Sequence, residues 1–175
     1  GRAIRLNSEY ALPYMLLARI YEEEELDEIA LHYYQQYLQR QPEDEEAAYL
    51  FARRLAESGR EAEAERLLGR LNDPRSYAIL GQMLLKRGYY EDALLSFEEF
   101  ISSLPEEEQE HYRDISIVAT PHEAASYRST PPEGRREFLR RFWLGKDPLL
   151  ASGGVMRWAE HYRRVLYARE NYGKR

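Results

Sequence analysis

The sequence predicts an all-α protein in which about three helical hairpins stack into a solenoid and a helical extension follows. Two observations predict it. Small residues recur twelve positions apart in three segments: Ala18 and Ala30, Ala52 and Ala64, Gly81 and Ala93. A bulky residue follows the second small residue by four positions each time: Tyr34, Leu68 and Phe97. Self-similarity of this kind is the signature of a repeat architecture.

Residues that form turns or end helices mark the boundaries of the individual helices. Two short helices pack closely where small side chains lie at their crossing, and a Leu or an aromatic residue one turn away fills the space between neighbouring hairpins. Gly59 and Gly88 fall between paired helices, where a left-handed residue ends the first helix at little cost. Pro42 and Pro105 end the second helix of the first and third hairpins.

The third segment resembles the tetratricopeptide repeat (TPR), a unit of about 34 residues. The resemblance is closest in the stretch Leu80-Gly81-Gln82-Met83-Leu84-Leu85-Lys86-Arg87-Gly88-Tyr89-Tyr90-Glu91-Asp92-Ala93-Leu94. It covers residues 11–107 in three units, 11–44, 45–73 and 74–107, and implies a TPR-like right-handed α-solenoid. The second unit departs from the pattern, because Ala52 and Gly81 are 29 residues apart.

The same resemblance implies a partner-binding groove lined by the first helix of each unit. The groove positions that it indicates are Met15, Arg19, Tyr49, Arg53, Arg75, Gln82 and Lys86. Some relatives bind a C-terminal carboxylate there through Lys, Asn and Arg, but Met15, Arg19 and Ile79 occupy those positions, which disfavours that ligand. The alternative is that Arg19 and Arg53 pair with nearby glutamates on a solvated helix face.

Residues 108–175 predict a helical extension, and residues 1–10 predict a lead-in helix or tail. Thr120-Pro121-His122-Glu123 and Thr130-Pro131-Pro132-Glu133 both have the pattern of a capping box, with Thr as N-cap and Glu three residues later. They predict helices near 121–128 and 131–144, and apolar periodicity predicts a third near 154–172. Residues 115–119 are expected to be extended or to form a buried turn.

This extension resembles the opening segment of bacterial GWxTD-domain proteins over residues 115–175. Two strings carry the resemblance: Phe138-Leu139-Arg140-Arg141-Phe142-Trp143-Leu144-Gly145-Lys146-Asp147-Pro148 and Tyr162-Arg163-Arg164-Val165-Leu166-Tyr167-Ala168-Arg169-Glu170-Asn171-Tyr172. The Gly-Trp-x-Thr-Asp motif itself is absent. The resemblance implies a bacterial source and leaves the periplasm, the cell envelope and the cytoplasm open as locations. That family has no established biochemical activity.

Charge is distributed unevenly along the chain, whose net charge is −6. Residues 1–130 carry 14 basic and 26 acidic side chains, whereas residues 131–175 carry 11 basic and 5 acidic ones. A basic cluster lies among aromatic residues in the second segment: Arg135, Arg136, Arg140, Arg141, Arg163 and Arg164. Because the aromatics fall at helical spacing and the whole chain is acidic, we expect a core face and no nucleic-acid partner.

The sequence contains no motif for a metal site, a cofactor site, a catalytic site or a membrane span. There is no Cys, and the four His are dispersed, so we expect no metal site, no cofactor and no catalytic residues. No apolar run is long enough to cross a membrane. The first residues are neither a signal peptide nor an initiator Met, so we expect the chain to begin inside a longer protein.

The leading hypothesis is therefore a scaffold that binds a protein or peptide on the concave face of the solenoid and is not an enzyme. One alternative is a structural brace or dimerisation module, with a homodimer as its simplest form, that serves a C-terminal domain beyond Arg175. Another is that such a domain carries catalytic residues.

Overall fold

The computed structural model describes residues 10–146 and 154–173, and every regular element among them is an α-helix. The helices are α1 (Leu12–Glu23), α2 (Asp27–Leu38), α3 (Glu45–Glu57), α4 (Glu61–Leu68), α5 (Arg75–Lys86), α6 (Tyr90–Ser102), α7 (Glu106–Arg113), α8 (Pro121–Ser129), α9 (Pro132–Lys146) and α10 (Val155–Tyr172). The all-α class is confirmed. The predicted lead-in at 1–10, apart from Tyr10, lies outside the described residues.

The helices belong to two compact units that divide between Ile79 and Leu80, inside α5. The N-terminal unit contains α1 to α4 and the start of α5. The C-terminal unit contains the rest of α5 and α6 to α10. This division falls within the third predicted repeat, whereas the sequence indicated a change of character after residue 107. The right-handed solenoid remains a prediction.

The turn inside each hairpin is built in the same way three times. The amide of the residue after the turn donates to a carbonyl five positions earlier: Leu26 to Tyr21 at 2.9 Å, Arg60 to Leu55 at 2.8 Å and Tyr89 to Leu84 at 3.0 Å. A second bond spans three positions: Glu25 to Glu22 at 3.1 Å, Gly59 to Ala56 at 3.2 Å and Gly88 to Leu85 at 3.1 Å. These paired bonds are the Schellman motif that satisfies helix-end carbonyls. Gly59 and Gly88 have φ of 82° and 83°, as predicted.

The small and bulky residues that define the repeat are all buried. Ala18, Ala30, Ala52, Ala64 and Ala93 are fully inaccessible to solvent, and Tyr34, Leu68 and Phe97 are at most 1% exposed. In the third hairpin, Gly81 lies directly against the Phe97 ring, so that a Cβ there would be 3.0 Å from two ring carbons. The periodicity in the sequence therefore corresponds to the contact surface between paired helices.

The N-terminal unit packs α2 against both α1 and α3. The Tyr34 ring of α2 lies 6.3 Å from the Phe51 ring of α3, which joins the first hairpin to the second. The second hairpin is shortened, because α4 ends at Leu68 after eight residues. Asp73 then starts α5 by accepting the Arg75 amide at 2.9 Å on its carboxylate. The second repeat unit is shorter mainly because α4 has eight residues where α2 has twelve.

The C-terminal unit has an aromatic core in which α10 packs against α6, α7 and α9. The Tyr162 ring of α10 lies 6.5 Å from Phe97, 6.4 Å from Tyr112 and 6.1 Å from Trp158. All four of these side chains are at most 3% exposed. Of the core face predicted for α9, Leu139, Phe142 and Trp143 are buried as predicted, whereas Phe138 is half-buried.

The two predicted capping boxes have different outcomes. Thr120 is the N-cap of α8 and forms a complete box with Glu123. Thr130 is instead the C-cap of α8, and its hydroxyl donates to the Ser126 carbonyl at 2.8 Å. The prediction for Thr130 was wrong because α9 begins only at Pro132.

Of residues 115–119, Ile115 is buried in a turn and Ile117 is 92% exposed. In the described ranges, no helix is long and apolar enough to cross a membrane.

Candidate functional site

The predicted groove residues of the N-terminal unit occupy equivalent positions on α1 and α3. Met15 and Tyr49 come three residues before the buried Ala18 and Ala52, and Arg19 and Arg53 come one residue after them. Met15 and Tyr49 are half-buried, whereas both arginines are exposed. The two helices therefore each present one half-buried side chain, Met15 or Tyr49, beside one exposed guanidinium.

Tyr49 forms a fixed platform together with Arg75. The Arg75 guanidinium lies 4.1 Å from the centre of the Tyr49 ring, within range of a cation–π interaction. It also donates to Asp73 at 2.6 Å and to Glu46 at 2.5 Å. The hydrogen bonds that Arg75 donates to these two carboxylates, to Asp73 first, raise the pKa of Arg75. Arg75 thus holds the ring in place, and its own charge is already balanced.

Arg53 and Arg19 differ in how they are engaged. Arg53 donates to Glu57 one turn later at 2.9 Å, and both side chains are more than two-fifths exposed. Such a surface pair contributes little stability and is readily exchanged for another carboxylate. Arg19 has no hydrogen bond or ion pair to any residue of 10–146 or 154–173. The alternative of a paired, solvated face therefore describes Arg53 but not Arg19.

A partly buried polar network on the same helices and on α2 was not predicted. Tyr34 donates its hydroxyl to Glu22 at 2.6 Å, and Arg54 forms a very short ion pair with the same carboxylate. Arg54 also reaches Asp27 at 3.2 Å and Glu57 at 3.0 Å, with only 17% of its side chain exposed. The network escaped prediction because its partners are 12 and 32 residues apart.

The network fixes the charge state of its members. Burial raises the pKa of Glu22, but hydrogen bonds from Tyr34 and Arg54, with Coulomb attraction to Arg53 and Arg54, outweigh it and lower the net pKa. Burial and the bond to Glu22 raise the pKa of Tyr34. Glu22 is therefore an anion that attracts Arg53 and Arg54 of α3.

Gln82 and Lys86, the remaining predicted groove residues, belong to the C-terminal unit. Gln82 is half-buried and Lys86 is exposed, both on α5. The structure brings Tyr49 and Arg75 into contact and has Met15 and Arg19 of α1 at the positions equivalent to Tyr49 and Arg53 of α3. Gln82 and Lys86 belong to the other unit and are described by themselves. Ile79, which stands where carboxylate-binding relatives have Arg, is only 9% exposed.

The basic cluster of the C-terminal unit is paired residue by residue. Six ion pairs of 3.1 Å or less hold it: Arg135–Glu110, Arg136–Glu98, Arg140–Glu137, Arg141–Glu137, Arg163–Glu160 and Arg164–Glu160. Hydrogen bonding to Arg163 lowers the pKa of Glu160 to about 2, although burial opposes it. The cluster therefore presents alternating charges and no continuous positive surface.

An open depression of about 520 Å³ lies between α8 and α9. Phe138 and Phe142 form part of its wall, and its carboxylates are already engaged. Glu123 caps α8 and pairs with Lys146, while Glu137 pairs with Arg140 and Arg141. The described residues contain no group of three or more His, Asp or Glu arranged to hold a metal ion.

No protein-family model matches the chain, and no curated protein or solved structure is significantly similar to it.

Proposed function

We propose that the chain is a TPR-like interaction scaffold, and that it binds an extended peptide or protein segment on the face of α1 and α3 that carries Met15, Arg19, Tyr49 and Arg53. The observation that carries the proposal is the Tyr49 ring held by Arg75 beside an exposed, exchangeable Arg53. Fixed aromatic rings and arginines are the side chains that most often dominate binding energy at protein interfaces.

The chemistry of this face favours a mixed peptide over a uniformly acidic one. Arg19 and Arg53 offer forked donors to a carboxylate or a main-chain carbonyl. Met15 offers a flexible apolar contact that adapts to different side chains. Glu46 and Glu23 lie on the same helices, so the face is not uniformly positive. We therefore expect a ligand that combines an apolar residue with a nearby acidic one.

Pairing of the basic cluster supports a protein partner rather than nucleic acid. Affinity for nucleic acid comes mainly from arginines and lysines that neutralise phosphates. Here each of the six arginines already has a glutamate partner, and two of the pairs, Arg136–Glu98 and Arg135–Glu110, tie α9 to α6 and α7. Arg135 and Arg136 therefore have a structural use that a phosphate contact would interrupt.

A displayed random-peptide library tests the proposal. The chain is immobilised, and enriched peptides are synthesised with a fluorophore and titrated by fluorescence polarisation. We expect a tenfold or larger loss of affinity in the Tyr49→Ala and Arg53→Glu variants, corresponding to at least about 1.4 kcal/mol. The matched controls are Arg66→Glu and Arg70→Glu, both exposed and on or just after α4.

Two results would contradict the proposal. One is that no peptide is enriched above an unrelated helical protein used for counter-selection. The other is that enriched peptides bind the Tyr49→Ala and Arg53→Glu variants as tightly as the controls. Circular dichroism of every variant establishes that its helices are intact, so that a loss of binding is assigned to the face and not to unfolding.

A further inference from the structure

Helix α1 carries an exposed aliphatic row that the proposed peptide-binding face does not use. Leu12, Leu16 and Ile20 follow one another at intervals of four residues and are 53%, 53% and 47% exposed. We call these three residues the α1 stripe. Residues four apart lie on the same side of a helix and form a ridge. A row of large aliphatic side chains left in water in this way is typical of an interaction surface.

The positions of Leu16 and Ile20, two of the three stripe residues, are covered in the other hairpins. Leu16 is equivalent to Leu50 in α3 and Ile79 in α5, which are half-buried and 9% exposed. Ile20 is equivalent to Arg54 and Met83, of which Met83 is only 5% exposed.

The contacts of Arg54 show what covers this side in α3. Arg54 reaches back to Glu22 and Asp27 of the first hairpin. In the N-terminal unit, this side of a first helix is therefore the side on which a neighbouring hairpin packs. On α1 it is exposed.

We propose that a second copy of this chain covers the α1 stripe, with the two α1 helices packed antiparallel about a twofold axis near Leu16. The stripe is entirely aliphatic, so its matched surface is also aliphatic, and the identical stripe of a second copy provides that. Ridges of residues spaced four apart interdigitate with ridges of the same kind, which is the commonest helix packing. A twofold axis makes one such surface complementary to itself.

Charge at the ends of α1 sets the direction of pairing. The first turn of α1 has no acidic residue, whereas Glu22 and Glu23 close the helix and Glu24 and Glu25 follow it. Antiparallel packing places Glu23, Glu24 and Glu25 beside the positive N-terminal end of the partner helix, which is favourable. Glu22 remains bound to Tyr34 and Arg54. Parallel packing would place glutamate against glutamate, which is unfavourable.

The size of the surface limits the strength of the dimer. A stable complex buries roughly 800 Å² on each partner, and three half-exposed residues supply less than that. Ile29 and Tyr10, which are 41% and 58% exposed, add to the apolar surface of the first hairpin. We therefore expect a concentration-dependent dimer with a Kd on the order of 10–100 μM.

Sedimentation velocity over a concentration series tests whether the stripe is the interface. We expect the unmodified chain to shift from monomer to dimer and the Leu16→Glu variant to remain monomeric. The matched control is Leu95→Glu on α6, since Leu95 is 54% exposed and lies in the other unit. A chain that stays monomeric throughout the series, or a dimer that persists in Leu16→Glu, would overturn the proposal. A monomeric result would also leave the stripe to a different partner.

Single-cysteine variants test the geometry cleanly because the chain contains no Cys. In antiparallel packing about Leu16, we expect rapid disulfide formation in Leu16→Cys and in a mixture of Leu12→Cys with Ile20→Cys. Leu12→Cys alone should cross-link slowly, because a rise of 1.5 Å per residue places the two copies about 12 Å apart along the helix axis. Fast cross-linking of Leu12→Cys with itself, and none in the mixture, would overturn the antiparallel arrangement.

Discussion

At the scale of single residues, Glu25 is the position where the chain departs most from its own repeat. It stands where the second and third hairpins have Gly59 and Gly88, seven residues after the small residue of the first helix. Among the described residues it is the only non-glycine residue with a positive φ, 58°. A residue with a Cβ is strained by about 1–2 kcal/mol in this conformation. The hydrogen bonds of the turn nevertheless form as in the other hairpins.

Replacing Glu25 with glycine should therefore stabilise the first hairpin. We expect Glu25→Gly to raise the free energy of unfolding of the N-terminal unit by about 0.5–1 kcal/mol, since the strain is removed and part of the gain is offset by added backbone entropy in the unfolded chain. Hydrogen exchange of the α1 and α2 amides measures it. The neighbouring Glu24→Gly is the control and should be neutral or destabilising, because Glu24 has φ of −84°. Slower exchange in both variants would contradict the explanation.

Arg53 and Arg54 are adjacent in sequence but differ in energetic weight. Arg54 is 17% exposed and pairs with Glu22, Asp27 and Glu57, whereas Arg53 is 47% exposed and pairs with Glu57. Removing one member of a partly buried network leaves Glu22 desolvated without its main partner. Removing a surface pair costs little. A comparison of Arg53 with Arg54 therefore separates the effect of burial on stability from the effect of charge.

We expect Arg54→Ala to destabilise the N-terminal unit by about 2 kcal/mol and Arg53→Ala by less than about 0.5 kcal/mol. The pKa of Glu22 is lowered in the folded chain, so its share of the stability is present above the ordinary pKa of 4.5 and is lost as the pH falls below it. Urea titrations at pH 7 and pH 3.5, followed by far-ultraviolet circular dichroism, check both points. Equal costs for the two alanine variants at pH 7 would refute the role assigned to the network.

At the scale of helices, the third hairpin packs a glycine where the first two pack an alanine. Ala18 and Ala52 occupy the crossing in the first two hairpins, but Gly81 faces the Phe97 ring in the third. At this crossing, the missing methyl group of Gly81 and the Phe97 ring compensate each other in volume. A methyl group added at Gly81 would gain helix propensity of up to about 1 kcal/mol and lose a similar or larger amount to crowding.

A double-mutant cycle measures this compensation. We expect Gly81→Ala to be neutral or destabilising in the unmodified chain and to stabilise a Phe97→Leu background by about 0.5–1 kcal/mol, which gives a coupling energy of at least about 1 kcal/mol. Tryptophan fluorescence during denaturation is a suitable readout, because Trp143 and Trp158 are the two tryptophans and both lie in the C-terminal unit with Gly81. Additive effects would show that the ring does not select glycine.

The helices and their contact surfaces could be predicted from the sequence because they depend on local spacing. Ala18 with Ala30, the turn glycines Gly59 and Gly88, and the Thr120 cap each follow from residues close together in the chain. The Glu22–Tyr34–Arg54 network could not be predicted in this way, since it depends on how α1, α2 and α3 approach one another. The pairing of Arg136 with Glu98, 38 residues earlier, was unpredictable for the same reason.

At the scale of the whole molecule, stability is distributed between two units with different chemistry. The N-terminal unit is joined by acid–arginine contacts between hairpins, and the C-terminal unit has a core rich in aromatic rings. The two units should therefore unfold at different temperatures or denaturant concentrations, and we do not expect a single unfolding transition. The C-terminal unit also contains a half-buried histidine, His161, whose protonation should make the stability of the unit depend on pH near neutrality.

His161 lies in the aromatic core and donates from Nε2 to the Tyr112 carbonyl at 2.9 Å, with the Trp143 ring 5.0 Å away. Burial lowers its pKa below the ordinary 6.5, although the bond to Tyr112 and the charge of Asp114 oppose the shift. The unfolded chain therefore binds a proton at a higher pH than the folded chain. Stability of the C-terminal unit should be constant above about pH 7 and should fall as the pH decreases through 6.5, until the folded pKa is reached.

Thermal unfolding followed by tryptophan fluorescence at pH 7.5, 6.5 and 5.5 should show this decrease, because both tryptophans report on the unit that contains His161. In His161→Gln the side-chain amide still donates a hydrogen bond but does not titrate, so the decrease between pH 6.5 and 5.5 should become smaller, whatever the variant costs at pH 7.5. His122→Gln, at an exposed position on α8, should retain the full decrease. If His161→Gln and His122→Gln have the same pH dependence, protonation of His161 is not what links the stability of the C-terminal unit to pH.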